Sequence, residues 1–195
     1  AKEKGQPLVS VCSACHNVLK RVNDDMKNDD NMRLKANNYL ALEEAYNGET
    51  DVIHYLELLR DYVGFDKLKE KVVKPLTGKK IGAYYGCLLL RPNSVLAFDN
   101  PENPTIIENF IKAIGATPVV YAMRNECCGA YVSVTHKEIA EKKSTNVISS
   151  AKDAGAEMLV TACPLCKYNL TENGKGEMEV KYFTELLAEA LGVKE

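Results

Sequence analysis

Residues 158–170, MLVTACPLCKYNL, pass from a short apolar run into Cys163 and Cys166 and then into a segment that turns helical. An apolar run of this length bounded by turn residues reads as a buried strand, so the cysteines fall where a strand gives way to a helix. The neighbouring segments alternate in the same way. KKIGAYYG, TPVVYA, AEMLVTA and MEVKYF read as strands. NPTIIENFIKAIG, with Asn103 or Thr105 as cap, HKEIAEKKSTNVISSAKDAG, closed by Gly155, and TELLAEALG read as helices. Such alternation specifies an α/β fold: Rossmann-like βαβ units, a largely parallel sheet and helices on both faces.

Upstream, QPLVSVCSAC reads as a short buried strand running into Cys12 and Cys15. HNVLKRVNDDMK is a helix broken by the polar run NDDMKNDDN. MRLKANNYLALEEAY is a second helix, stopped by Asn47-Gly48. DVIHY is a strand, and LELLRDYV and DKLKEKVVKPL are helices. Pro75 and Gly78 mark a boundary near 76–79, dividing the chain into residues 1–76 and 77–195.

The two parts share a repeat. DVIHYLELLRDYVG (51–64) aligns without a gap to EVKYFTELLAEALG (179–192), and LVSVCSACHNVL (8–19) aligns to LVTACPLCKYNL (159–170). The spacer is 23 residues longer in the first copy, an insertion placed at NDDMKNDDNMRLKANNY. Residues 8–64 thus match only the last part of 79–192. Either the first half has diverged or the sequence lacks its first quarter or third; the second reading is preferred.

Bulk properties narrow the function. A formal charge of −2 and a pI near 6.0 leave no basic stripe for nucleic acid. No apolar run reaches the roughly 18–20 residues that span a bilayer, and AKEKGQPLVS carries no signal-peptide core. A cytoplasmic protein is expected. In that compartment seven cysteines read as metal ligands or redox groups before disulfides.

Their placement sharpens the point. Cys87 ends IGAYYGC, Cys127 and Cys128 follow VVYAMRNE, and Cys163 and Cys166 follow MLVTA. Each station lies at the carboxyl end of an expected strand, the edge where open α/β sheets bind ligands. Helix N-termini there favour thiolates. A disulfide between neighbours such as Cys127 and Cys128 closes a strained ring, whereas two adjacent sulfurs suit a multinuclear centre. Zinc needs only four ligands, so five converging sulfurs point to iron–sulfur chemistry. A lone C-x-x-C is less specific, being shared by zinc knuckles, thioredoxin-like motifs and chance.

Cys87, CCG at 127–129 and CPLC at 163–166, with YYGCLLLRP (84–92) and DNPENPT (99–105), resemble the cysteine-rich CCG domain found in the B subunit of heterodisulfide reductase. The resemblance implies tandem CCG domains, the first incomplete (1–76) and the second whole (77–195). It implies a noncubane [4Fe–4S] cluster on Cys87, Cys127, Cys128, Cys163 and Cys166, with Cys12 and Cys15 belonging to an incomplete upstream site. The implied activity is reduction of a small disulfide, of the CoM-S-S-CoB type or a bacterial relative. Electrons would come from an iron–sulfur C subunit and a flavin-containing A subunit. An isolated piece is expected to be inactive and to lose its cluster in air. Leu88 to Leu90 follow Cys87, so no proton donor stands directly after that ligand. The alternative is a zinc-binding or metal-free interaction module of an electron-transfer complex.

The remaining polar residues receive plainer readings. His16 is expected on a helix surface, though it adjoins the Cys12–Cys15 pair; His54 in core or edge packing; His136 exposed at a helix start. Arg91, Arg124 and Lys167 flank the cysteine stations. They read as ordinary solvated cations, or else as groups that balance cluster charge or attract an anionic thiol. Tyr84, Tyr85 and Tyr131 are expected to pack the sheet edge, and HKEIAEKK to form a solvated helix face.

Overall fold

The computed structural model describes residues 1–193. In chain order the elements are β1 (Leu8–Ser10), α1 (Ser13–Asn28), α2 (Asp30–Leu40), β2 (Val52–His54), α3 (Tyr55–Glu57), which continues as a π-helical turn over Leu58–Val63, and α4 (Phe65–Lys71). Then follow β3 (Lys80–Tyr84), α5 (Asn93–Leu96), α6 (Ile106–Ala113), β4 (Thr117–Val119), a 3-10 turn over Ala130–Val134, α7 (Lys137–Asp153), β5 (Met158–Thr161), α8 (Pro164–Asn173), β6 (Glu179–Tyr182) and α9 (Phe183–Ala190).

The fold is α/β with parallel sheets, as the alternation predicts. β1 and β2 form a parallel pair, and the other four strands form a parallel sheet in the order β4-β3-β5-β6. The repeat extends to register: Leu8 pairs with Val52 as Leu159 pairs with Val180, and Ser10 with His54 as Thr161 with Tyr182. One face of the larger sheet buries Ile81, Ala83 and Val160 under Ile107, Phe110, Phe183 and Leu186, together with Leu56, Leu59, Leu68 and Leu76 from upstream. The other face packs Tyr84 and Leu159 against Val147, Ile148 and Leu170. With helices covering both faces, ligand access is left to the strand ends.

Several local expectations change. β1 is not a buried strand: Leu8 and Val9 are exposed and only Ser10 is buried, because β1 has a neighbour on one side only. The helix is broken within the polar run, as expected: α1 ends at Asn28, and Asp29 then starts α2 by accepting from the Asn31 and Met32 amides. α2 ends at Leu40, with Ala41 left-handed at φ 48°, well before Asn47-Gly48. Neither Asn103 nor Thr105 caps α6 through its side chain; Asp99 Oδ2 accepts from the Thr105 and Ile106 amides. Gly155 closes α7 as expected, at φ 87°.

Candidate metal centre

β3, β5 and the segment after β4 deliver five thiols to one pocket. Cys87, Cys127, Cys128, Cys163 and Cys166 line it together with Ser13, Tyr85 and Tyr131. The Cys128 and Cys166 sulfurs are 3.6 Å apart, and Cys87, Cys127 and Cys163 line the same pocket beside them. Two glycines permit the approach. Gly86 is left-handed at φ 64°, and a Cβ on it would sit 3.4 Å from the Cys166 sulfur. Gly129, at φ 85°, turns the chain directly behind the cysteine pair, where a Cβ would come within 3.1 Å of Ala140 Cα. Polar groups from both flanking helices then fix the turn. Asn169 Nδ2 donates to the Cys128 carbonyl at 2.8 Å and the Ser144 hydroxyl donates to it at 3.3 Å. Tyr84 donates to the Glu126 carbonyl at 2.7 Å.

Protons are distributed unevenly among the sulfurs. The Cys87 thiol and the Gly129 amide donate to Cys127 and pull it down to about 6. The Cys166 thiol, helped by the amides of Cys166, Leu165 and Ala14, pulls Cys163 down to about 6. Cys128 is lowered as well, chiefly by Cys166. The donors move the other way: Cys87 is raised through its bond to Cys127 and by burial, and Cys166 through its bonds to Cys128 and Cys163. Thiolates so far out of water call for a compensating cation.

The donor set fits a metal group. Two sulfurs on one tetrahedral metal, each about 2.3 Å from it, stand about 3.8 Å apart, close to the Cys128–Cys166 spacing. Among the described residues no three His, Cys, Asp or Glu side chains converge as one metal ion requires. The five sulfurs share one pocket without three of them closing on a single point, an arrangement suited to several metals more than to one. Only about 20 Å³ lies free between them, so anything bound there replaces sulfur–sulfur contacts.

Cys12 and Cys15 stand beside this pocket, not in it. Cys12 precedes α1 and its sulfur accepts from the Cys15 amide at 3.5 Å; burial pushes it up to about 11, and Cys163 adds to the rise. Cys15 is exposed. Ser13, between them, reaches into the pocket and donates from its amide and its hydroxyl to the Ala162 carbonyl, each at 2.9 Å. Tyr182 donates to the Val11 and Ala162 carbonyls. Sequence reading missed Ser13, Ser144, Asn169 and Tyr182. Only the repeat, which aligns Ser13 with Pro164 and His54 with Tyr182, hinted that the two C-x-x-C motifs meet.

Three readings of single residues are corrected. His16 is not on the surface but fully buried, because Phe98 covers it at a ring separation of 6.4 Å; burial lowers it to about 4. Arg124 is buried and held by Glu108 at 3.3 Å and Asn103 at 2.5 Å, so it is neither solvated nor free to meet an anion. Tyr131 does not pack the sheet edge; it is 65% exposed at the rim of the pocket. Tyr84, Tyr85 and His54 are buried, and His136 is exposed just before α7, as expected. Arg91 meets Glu102 and the Asn125 carbonyl, and Lys167 pairs with Glu185 at 2.6 Å.

Comparison with known proteins agrees with the geometry. A family model described as a cysteine-rich domain, CCG, matches residues 81–171, which contain all five pocket sulfurs. The chain is 32% identical over 203 residues to the 8-methylmenaquinol:fumarate reductase membrane anchor subunit of Wolinella succinogenes, covering 99% of this chain and 70% of that one. It is 29% identical over 204 residues to the B subunit of the ferredoxin/F(420)H(2)-dependent CoB-CoM heterodisulfide reductase of Methanosarcina acetivorans, covering 98% and 68%. Against the B subunit of the ferredoxin:CoB-CoM heterodisulfide reductase of Methanosarcina mazei it is 29% identical, and it spans 65% of that protein.

Proposed function

The chain belongs to the cysteine-rich domain family that includes the B subunit of heterodisulfide reductase, and from that premise we propose that it is part of a reductase subunit whose five pocket sulfurs hold a noncubane [4Fe–4S] cluster. The observation that carries this reading is the meeting of sulfurs from three strand ends in one pocket. When bound, such a group supplies electrons one at a time. Cys87, Cys127, Cys128, Cys163 and Cys166 would hold it, and Asn169 and Ser144 keep the CCG turn in place.

The proposed substrate is a small disulfide, which takes up two electrons and two protons to leave two thiols. Leu88, Leu89 and Leu90 offer no proton after Cys87, so protons reach the substrate from the pocket rim or from solvent. Electrons are proposed to come from partner subunits, an iron–sulfur C subunit and a flavin-containing A subunit, in the cytoplasm. The Wolinella relative favours a second reading, in which the same site exchanges electrons with a quinol-linked chain. Among the described residues no helix is long and apolar enough to cross a membrane.

The test is anaerobic reconstitution with iron and sulfide, followed by metal and acid-labile sulfide analysis and electron paramagnetic resonance. About four irons per chain, and their loss in Cys128→Ser and Cys166→Ser, are expected. One zinc per chain with no iron uptake supports the interaction-module alternative and ends the proposal.

A further inference from the structure

One stretch of α7, residues 140–144, grips the turn that presents Cys127 and Cys128. The Ser144 hydroxyl donates to the Cys128 carbonyl at 3.3 Å. Ala140 and the Lys143 stem close on Gly129 from the same side. A Cβ on Gly129 would stand 3.1 Å from Ala140 Cα and 3.1 Å from Lys143 Cδ. The Gly129 amide in turn donates to the Cys127 sulfur at 3.3 Å. Lys143 thus packs its methylenes on the very residue that aims a backbone dipole at Cys127, while the residue as a whole stays exposed.

Its charge is placed unlike those of the other cations near the cysteines. Arg91 is paired with Glu102 at 3.3 Å, Arg124 with Glu108 at 3.3 Å and Lys167 with Glu185 at 2.6 Å. On α7 itself, Lys137 meets Glu141 and Lys152 meets Glu177. Among the described residues Lys143 has no such partner. The nearest opposing influence at Cys127 is Glu126, on the same turn, and the Lys143 charge outweighs it there.

We propose that Lys143 is a positioning residue that acts through Cys127 and raises the reduction potential of the metal group held by the five sulfurs. One-electron reduction adds a negative charge, and a cation seated beside one ligand sulfur favours the reduced state. Net charge and hydrogen bonds to sulfur set the potentials of iron–sulfur centres in this way. Solvent screens an exposed ammonium, so the effect weakens as the Debye length falls from about 10 Å at 0.1 M salt to about 3 Å at 1 M. The inference rests on the reading of the pocket as a metal site.

The test is a redox titration, followed by electron paramagnetic resonance, of the anaerobically reconstituted full-length protein. Lys143→Met, Lys143→Arg and Lys142→Met are titrated beside it. Methionine keeps an unbranched stem against Gly129 and removes the charge; Lys142 is exposed and serves as the control. Lys143→Met is expected to take up iron as the native protein does. At a fixed ambient potential its ratio of reduced to oxidised centre falls roughly three- to tenfold, a shift of about 30–60 mV for one electron. Lys143→Arg and Lys142→Met should titrate with the native protein, and 1 M salt should narrow the gap. Lys143→Met that binds iron and titrates with the native protein overturns this inference and leaves the metal site standing. A shift as large in Lys143→Arg, or loss of iron from Lys143→Met, also overturns it, by assigning the lysine to packing alone. Native protein that takes up no iron overturns the reading of the pocket, and this inference with it.

Discussion

Ser13 donates twice to the carbonyl of Ala162, across 149 residues of sequence. This contact joins the two C-x-x-C motifs: Ser13 lies between Cys12 and Cys15, and Ala162 directly precedes Cys163. Ser13→Ala removes one of the two bonds and leaves the carbonyl its amide partner. Urea denaturation is expected to show a loss of about 1 kcal/mol. An unchanged midpoint would mean that the junction is held by packing alone.

Asn169 fills its hydrogen bonds inside the protein, to the Cys128 carbonyl and to Ser144 and Asn173. Asn169→Ala strands these buried groups, and a cost of about 1–3 kcal/mol follows. The CCG turn should loosen with it. Faster reaction of Cys128 with a bulky disulfide reagent than in the native protein is the reading to look for, and an equal rate counts against the role given to Asn169.

Thiol reactivity should separate the sulfurs by pH in metal-free protein. Cys127 is only partly buried and its thiolate forms around pH 6, while Cys12 is held protonated to about 11. Iodoacetamide labelling followed by peptide mass spectrometry is expected to mark Cys127 at neutral pH and to leave Cys12 unmarked until strongly alkaline solution. The reverse order would refute the assigned proton sharing between Cys87 and Cys127.

Stability should fall in mild acid through the buried histidines. His16 is lowered to about 4 and His54 to about 3, in both cases first by burial. An unfolded histidine takes up its proton near pH 6.5, so the unfolded state binds protons first as pH drops. Stability is full above about 6.5 and declines toward 4 and then 3, by at most roughly 1.4 kcal/mol per pH unit for each group. His16→Gln should flatten the slope of unfolding free energy between pH 6.5 and 4; an unaltered slope places the acid sensitivity elsewhere.

Arg124 and Glu108 form a buried pair that also holds Tyr85. Arg124→Ala leaves the carboxylate without its cation, a change worth about 3–5 kcal/mol. Adding Glu108→Gln is expected to restore a good part of that loss in thermal melts. No restoration would show that Arg124 matters through its bond to Asn103 instead.

Residue patterns were enough for strand–helix alternation, parallel pairing and the gathering of five sulfurs, because each depends on spacing along the chain. Cys87, Cys127 and Cys163 come together because consecutive parallel strands end at one edge, which any reading of alternating elements implies. Burial of His16 and Arg124 and the exposure of β1 could not be read that way. Each is set by a partner far off in sequence: Phe98 closes over His16, Glu108 claims Arg124, and β1 finds a neighbour on one side only. Local pattern fixes which way a side chain is offered, while the free energy of burying it depends on what arrives from elsewhere to cover it.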